Sequence, residues 1–143
     1  GQCVISGKKE EIDNFIILIK NELKKKAISL PVSAPFHCKM MKSAADELQS
    51  FLKQFEINNP TIPIVSNVNV SPIKKGSEIE QLLISCVYNR VRWREIVEFL
   101  NKNNISECIE CGPGKALTNM FKRFEFKIKC AKVDNMEDLK NYA

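Results

Sequence analysis

The chain has 143 residues, 44% of them apolar and 27% charged, which is the composition of an ordinary soluble globular protein with room for a sizeable core. Its longest unbroken apolar run, residues 15–19, is far shorter than the roughly 20 residues of a membrane span, and the opening Gly1-Gln2-Cys3 is unlike a signal peptide. Twenty-two basic against 17 acidic side chains give a net charge of +5, which favours an anionic partner without identifying it.

The first part of the sequence predicts a strand, a helix and a second strand. Residues 2–5 form a short strand pattern, and residues 28–33 form another that ends before Pro35, which cannot donate to a sheet. Between them, residues 8–26 carry apolar side chains at positions 12, 15, 16, 19 and 23, which is the spacing of one buried helical stripe.

The remaining sequence alternates between helical and extended patterns. Helices are predicted at residues 41–54, 78–87, 93–101 and 116–124, and strands at residues 62–68, 107–110 and 128–133. This alternation predicts an α/β architecture, with a largely parallel sheet in the second part of the chain.

The six cysteines, at positions 3, 38, 86, 108, 111 and 130, are scattered through apolar segments and are not grouped as ligand pairs. Cys108 and Cys111 form a Cys-x-x-Cys, but they lie in a predicted strand, where residues three apart point to opposite faces. The pattern therefore favours free thiols in a reducing compartment over a metal or redox site.

The only histidine, His37, follows the apolar segment that ends at Pro35. Imidazole is the side chain that most readily exchanges a proton near neutral pH, so His37 is the first candidate for acid–base chemistry. A single histidine is also compatible with a packed or exposed structural role.

Residues 30–41, which contain the histidine, and residues 110–118, which contain Gly-Pro-Gly, resemble the malonyl-CoA:acyl carrier protein transacylase family. Further similar blocks, at residues 1–7, 63–68 and 88–93, occur in the order of that family. The serine of the family lies in a Gly-x-Ser-x-Gly turn, a pattern that this sequence does not contain. The resemblance therefore implies the C-terminal half of such an enzyme.

The implied fold is α/β and has two parts. Residues 1–34 would belong to a ferredoxin-like small subdomain, and residues 35–143 would form the C-terminal part of an α/β-hydrolase-like acyltransferase domain. The missing N-terminal part of the same enzyme would supply the nucleophilic serine, a glutamine of the oxyanion hole and an arginine for the malonyl carboxylate.

The resemblance also implies an activity, the transfer of malonyl from CoA to the phosphopantetheine thiol of acyl carrier protein in type II fatty acid synthesis, through a malonyl-serine intermediate. His37 would be the general base, and the backbone carbonyl of Cys86 would orient its ring. The implied partners are malonyl-CoA and acyl carrier protein, without a cofactor, a metal, nucleic acid or a membrane. Cys86 departs from the glutamine common in the family, and Arg90 departs from a common proline.

Other residues have structural interpretations beside functional ones. Phe36 and Trp93 are expected in the core, because large aromatic side chains dominate core burial. Lys115 follows a Gly-Pro-Gly that we interpret as a turn, since the spacing of a phosphate-binding loop is lacking. The arginines within residues 90–94 fit either a solvated run or a surface that faces an acidic carrier protein.

Two other function classes stay open on sequence alone. A basic ferredoxin-like piece is compatible with a nucleic-acid-binding module, although residues 2–5 lack the stacking aromatics of an RNA-recognition sheet. The other class is a non-catalytic scaffold derived from the acyltransferase fold, which the presence of His37 argues against.

The expected location is the cytoplasm or a plastid-type organelle, both of which are reducing compartments.

Overall fold

The computed structural model describes residues 3–126 and 128–142, which fall into two units, one ending at Arg92 and one beginning at Trp93. In the first unit the described residues form helices α1 (Lys9–Asn21), α2 (Lys42–Leu52) and α3 (Gly76–Tyr88) and strands β1 (Ile64–Val65) and β2 (Pro72–Ile73). In the second unit they form helices α4 (Trp93–Lys102), α5 (Ala116–Phe121) and α6 (Met136–Leu139) and strands β3 (Glu107–Cys111) and β4 (Lys129–Val133). Short 3₁₀ turns lie at Lys39–Met41 and Lys140–Tyr142.

Helix α1 confirms the predicted helix but ends earlier than residue 26. The backbone at Lys24 adopts a left-handed conformation with a φ of 50°, and the N–H of Lys25 donates to the carbonyl of Ile19 at 3.3 Å. The apolar stripe of α1 is not covered by other residues of this unit, since none of the side chains of α1 is buried.

The strands predicted at residues 2–5 and 28–33 are absent from the described residues, and Gln2 lies outside them. A strand requires a neighbour with which to exchange backbone hydrogen bonds, and neither segment has such a neighbour within the described chain. The N–H of Val32 instead donates to the carbonyl of Leu30 at 2.9 Å, in a local turn. The prediction was wrong because an apolar pattern does not supply a pairing partner.

The strand predicted at residues 62–68 is reduced to β1, which pairs antiparallel with β2. After β1, the hydroxyl of Ser66 accepts from the N–H of Val68 at 3.0 Å, and its carbonyl accepts from the N–H of Val70 at 3.2 Å. These bonds close a turn, and the serine therefore ends the strand.

Helices α2 and α3 pack on each other and confirm the helices predicted there. Ala45 of α2 is fully buried, and Ile84 of α3 is nearly so. The first residue of α3, Gly76, lies so close to the chain that a Cβ there would be 1.8 Å from the carbonyl oxygen of Ile57. This close approach fixes the start of α3 against the preceding loop.

The second unit contains the predicted parallel pairing. Strands β3 and β4 run side by side with Cys108 opposite Cys130, and α5 lies between them in the sequence, as in a βαβ connection. Trp93 meets the edge of Phe121 with ring centroids 5.3 Å apart, and Phe121 is buried. The α/β class is confirmed, whereas the subdomain boundary predicted between residues 34 and 35 stays a prediction.

Candidate active site

The histidine singled out by the sequence lies on the loop that leads into α2, close to the last turn of α3. The N–H of His37 donates to the carbonyl of Val87 at 3.2 Å, and its ring nitrogen Nδ1 lies 2.8 Å from the carbonyl oxygen of Cys86. The side chain is otherwise exposed. The structure therefore brings His37 and Cys86, the two predicted site residues, into direct contact, and their catalytic role stays a prediction.

The carbonyls of Cys86 and Val87 lie at the C-terminal end of α3, which explains why they bind the loop residue His37. The last four carbonyls of an α-helix have no partner within the helix. At the end of α3, Ser85 accepts from the N–H of Asn89 at 3.0 Å and from its side-chain amide at 2.9 Å. The next two carbonyls accept from His37. The loop therefore completes the hydrogen bonding of the helix end.

The backbone of His37 has a φ of 59°, which is in the left-handed region. For a residue other than glycine, this conformation costs on the order of 1–2 kcal/mol of free energy. The two hydrogen bonds to the end of α3 hold the residue in it. Strained backbone of this kind clusters at functional sites.

The contact with Cys86 also decides the tautomer of the ring. A carbonyl oxygen only accepts hydrogen bonds, so Nδ1 must carry the hydrogen. In the neutral ring Nε2 is then left with a free lone pair, which is what a general base requires.

The side chain of Cys86 has a separate partner that the sequence analysis did not assign. The amide nitrogen of Asn67 lies 3.9 Å from its sulfur. Arg92 holds this asparagine, since its backbone N–H donates to the carbonyl of Asn67 at 3.0 Å and its guanidinium donates to the carbonyl of Val68 at 3.2 Å. Arg92 is therefore engaged in structure, whereas the sequence left it between a solvated run and a docking surface.

Phe36 and Cys38 flank His37 in the sequence, and the structure places both side chains. Phe36 was expected in the core, but its side chain is exposed in this unit, so the prediction from its size alone was wrong. Cys38, next to His37, donates its thiol hydrogen to the carbonyl of Pro35 at 3.1 Å. No group of three or more His, Cys, Asp or Glu side chains that could hold a metal occurs among the described residues.

The Gly-Pro-Gly segment forms a turn in the second unit. Gly112 and Gly114 have φ values of 124° and 98°, a region that favours glycine. The N–H groups of Leu117 and Thr118, at the start of α5, donate to the carboxylate of Glu110 at 2.9 and 2.8 Å. These donors are therefore not available for a phosphate, which supports the structural interpretation of this segment.

The carboxylate of Glu110 is a feature that sequence reasoning missed. The hydroxyl of Thr118 donates to it at 2.6 Å, in addition to the two backbone bonds. These bonds, led by the one from the Thr118 hydroxyl, hold the pKa of Glu110 below its ordinary value. A glutamate six residues before the helix that it caps has no local sequence signature.

Comparisons with known proteins identify the relatives of this chain. None of the protein-family models compared with it matches. The chain is 41% identical over 123 residues, 86% of its own length, to the malonyl CoA-acyl carrier protein transacylase of Escherichia coli K12. The chain is homologous to the malonyl-CoA:acyl carrier protein transacylases. It spans 40% of the E. coli transacylase, in agreement with the expectation that it corresponds to part of such an enzyme.

Solved transacylase structures have the same fold over this region. The acyl carrier protein S-malonyltransferase of Vibrio cholerae superimposes with a TM-score of 0.87 at 37% identity, over 96% of this chain and 45% of that one. A malonyl-transacylase in complex with its type II PKS acyl-carrier protein superimposes with a TM-score of 0.84 at 35% identity, over 94% of this chain and 44% of that one. The expected acyltransferase fold is thereby confirmed.

Proposed function

We propose that this chain is the histidine-bearing part of a malonyl-CoA:acyl carrier protein transacylase, in which His37 is the general base. The observation that carries the proposal is the hydrogen bond between Nδ1 and the Cys86 carbonyl, which leaves Nε2 free to take a proton. The names of the homologues support the choice of substrate and acceptor.

The proposed reaction has two half-reactions with one base. Nε2 takes the hydroxyl proton of a serine outside this chain as the oxygen attacks the malonyl thioester. The carbon–sulfur bond breaks, the CoA thiol leaves with the proton from the imidazolium, and malonyl stays on the serine. The thiol of acyl carrier protein then gives its proton to His37 and displaces the serine oxygen, which takes the proton back.

The proposed partners follow from this chemistry. They are malonyl-CoA, acyl carrier protein and the remaining part of the same enzyme, and one structural relative was solved with its acyl carrier protein. An acyl transfer changes no oxidation state, so the proposed reaction uses no redox cofactor, and in this proposal His37 supplies the acid–base chemistry without a metal. We propose no role for nucleic acid or a membrane, and no described helix is long and apolar enough to cross a bilayer.

The proposed location is the cytoplasm or a plastid-type organelle, where free thiols such as those of this chain persist.

Malonyl transfer by the complete protein tests this proposal. The complete protein is mixed with malonyl-CoA alone, and its mass is then measured, which should show one malonyl group attached covalently. Addition of acyl carrier protein with a free phosphopantetheine thiol should move that group to the carrier. A protein that neither becomes malonylated nor loads the carrier would contradict the proposal and favour a non-catalytic scaffold.

A further inference from the structure

Two cysteines that the proposed reaction does not use face each other in the second unit. Cys108 of β3 is the register partner of Cys130 of β4. Register partners on neighbouring parallel strands project to the same side of the sheet. Both residues are half-buried free thiols, and both line one open cavity of about 190 Å³. The two cysteines therefore border the same open cavity.

The surroundings of the two thiols are mainly apolar. The cavity is also lined by the side chains of Trp93, Leu100, Leu117 and Phe121, together with Ile109 and Glu110. An apolar cavity of about 150 Å³ is large enough to hold a benzene ring. The space beside the thiols thus fits a small aromatic group.

The spacing of the strands decides what can join the sulfurs. Side chains directly opposite each other on neighbouring strands have Cβ atoms about 4.5–5.5 Å apart, whereas a disulfide requires a Cβ···Cβ distance of about 3.5–4.5 Å. A direct S–S bond would therefore pull β3 and β4 together. A single bridging atom between the sulfurs lengthens the link and fits the undistorted pair.

Both thiols carry their hydrogens before such a bridge forms. The hydroxyl of Thr118 uses its one hydrogen in the 2.6 Å bond to Glu110, so at 3.6 Å from Cys130 it can only accept. The thiol hydrogen of Cys130 has two acceptors within reach, this hydroxyl oxygen and the carbonyl of Ala131 at 3.7 Å. Burial, with a smaller contribution from the nearby Cys130, raises the pKa of the Cys108 thiol. The pair is therefore a dithiol that releases its protons on binding.

We propose that Cys108 and Cys130 form a dithiol site for a thiophilic centre of the trivalent arsenical class, with its organic group in the adjoining cavity. Thiolates are the soft ligands that such centres prefer. With an aryl arsenic oxide, two S–As bonds form, the arsenic–oxygen bond breaks, and both thiol protons leave with that oxygen as water. No oxidant or reductant takes part, because arsenic and sulfur keep their oxidation states.

Phenylarsine oxide is the probe that tests the site. The complete protein, fully reduced, is treated with one equivalent of it and analysed by mass spectrometry under native conditions. We expect one phenylarsenic group for each protein molecule, stable to excess of a monothiol and removed by a dithiol. Proteolysis of the wild-type adduct should yield the peptides of Cys108 and Cys130 joined through arsenic, a measurement that depends on no variant.

Matched variants locate the adduct. Cys108→Ser and Cys130→Ser should each abolish the monothiol-resistant adduct, whereas Cys111→Ser, on the same strand but exposed, should retain it. Absence of an adduct from the wild-type protein, or an adduct mapped to other cysteines, would overturn the proposal. Retention of the resistant adduct in either serine variant of the pair would overturn it as well.

Discussion

The ring of His37 and the backbone of Cys86 are joined by a 2.8 Å hydrogen bond at the last turn of α3. The next carbonyl of the same helix accepts from the backbone N–H of His37. One residue is thus held by both its main chain and its ring through two consecutive helix carbonyls. The orientation of the His37 ring is therefore set by backbone carbonyls of α3. No carboxylate contacts the ring among the described residues.

Replacement of His37 tests its role as base. His37→Asn in the complete protein should lower malonyl transfer by a factor on the order of 10² or more, as loss of a general base does. Asparagine tolerates the left-handed backbone of this position, so the fold should be kept. His37→Ala should lose at least as much activity. It should also lower the melting temperature, because the left-handed conformation is unfavourable for alanine. Transfer at the wild-type rate in the asparagine variant would exclude the assignment.

Replacement of Cys86 separates its carbonyl from its thiol. Cys86→Ala should keep most of the transfer activity, because the carbonyl that orients His37 is unchanged and only the 3.9 Å contact with Asn67 is lost. Asn67→Ala is the matched control, since it removes the same contact from the other side. Initial rates and thermal melting are measured for both. A large loss of rate in Cys86→Ala with an unchanged melting temperature would mean that the thiol takes part in the reaction.

Replacement of Glu110 should give a stability change that depends on pH. The bonds from Thr118 hold the pKa of Glu110 below its ordinary value, so the carboxylate contributes stability above that value, about 4.3. The contribution is lost as the pH falls through the lower pKa of the folded state. Glu110→Gln should therefore be less stable than wild type to urea at pH 7, and the difference should shrink below about pH 4.

The exposed Glu107, at the start of the same strand, provides the control for this experiment. Glu107→Gln should shift the urea midpoint little at either pH, as surface substitutions usually do. A Glu110→Gln difference that stays constant from pH 7 to pH 3 would show that shape, and not charge, accounts for the loss.

Replacement of Gly76 tests the close approach at the start of α3. A Cβ at this position would lie 1.8 Å from the carbonyl oxygen of Ile57, so the loop or the helix must move. Gly76→Ala should destabilise the protein by about 2 kcal/mol or more, in the upper range of overpacking substitutions. At Gly7 the nearest atom, in Ile12, would be 3.7 Å from an added Cβ, so Gly7→Ala is the control that should melt like wild type. Equal melting temperatures for the two variants would contradict the packing at Gly76.

The 143-residue chain by itself is expected to be inactive in malonyl transfer. It contains no Gly-x-Ser-x-Gly turn, and among the described residues His37 is bonded to the carbonyls of Cys86 and Val87 and to no serine hydroxyl. Apolar side chains such as Phe15, Phe51 and Ile109 are exposed in its units, so we also expect self-association, measurable by light scattering. Transfer by a preparation free of contaminating transacylase would contradict this expectation, and Cys38 would be the first alternative nucleophile to test.

The sequence by itself determined the elements whose pattern is local. Helical spacing located α2, α3 and α4, because an apolar stripe follows from positions within one segment. The strands β3 and β4 were predicted for a similar reason, and they pair with each other inside this chain. The histidine was found because it is unique, and its proposed role came from the resemblance of the residues around it.

Tertiary structure alone decided the features that join distant residues. The strands predicted at residues 2–5 and 28–33 did not form among the described residues, because a strand depends on a partner that its own sequence does not provide. The bond from His37 to Cys86 spans 49 positions, and the pairing of Cys108 with Cys130 depends on the register of two strands. A local sequence pattern shows which residues are apolar. These contacts instead depend on the tertiary packing that brings distant segments of the chain together.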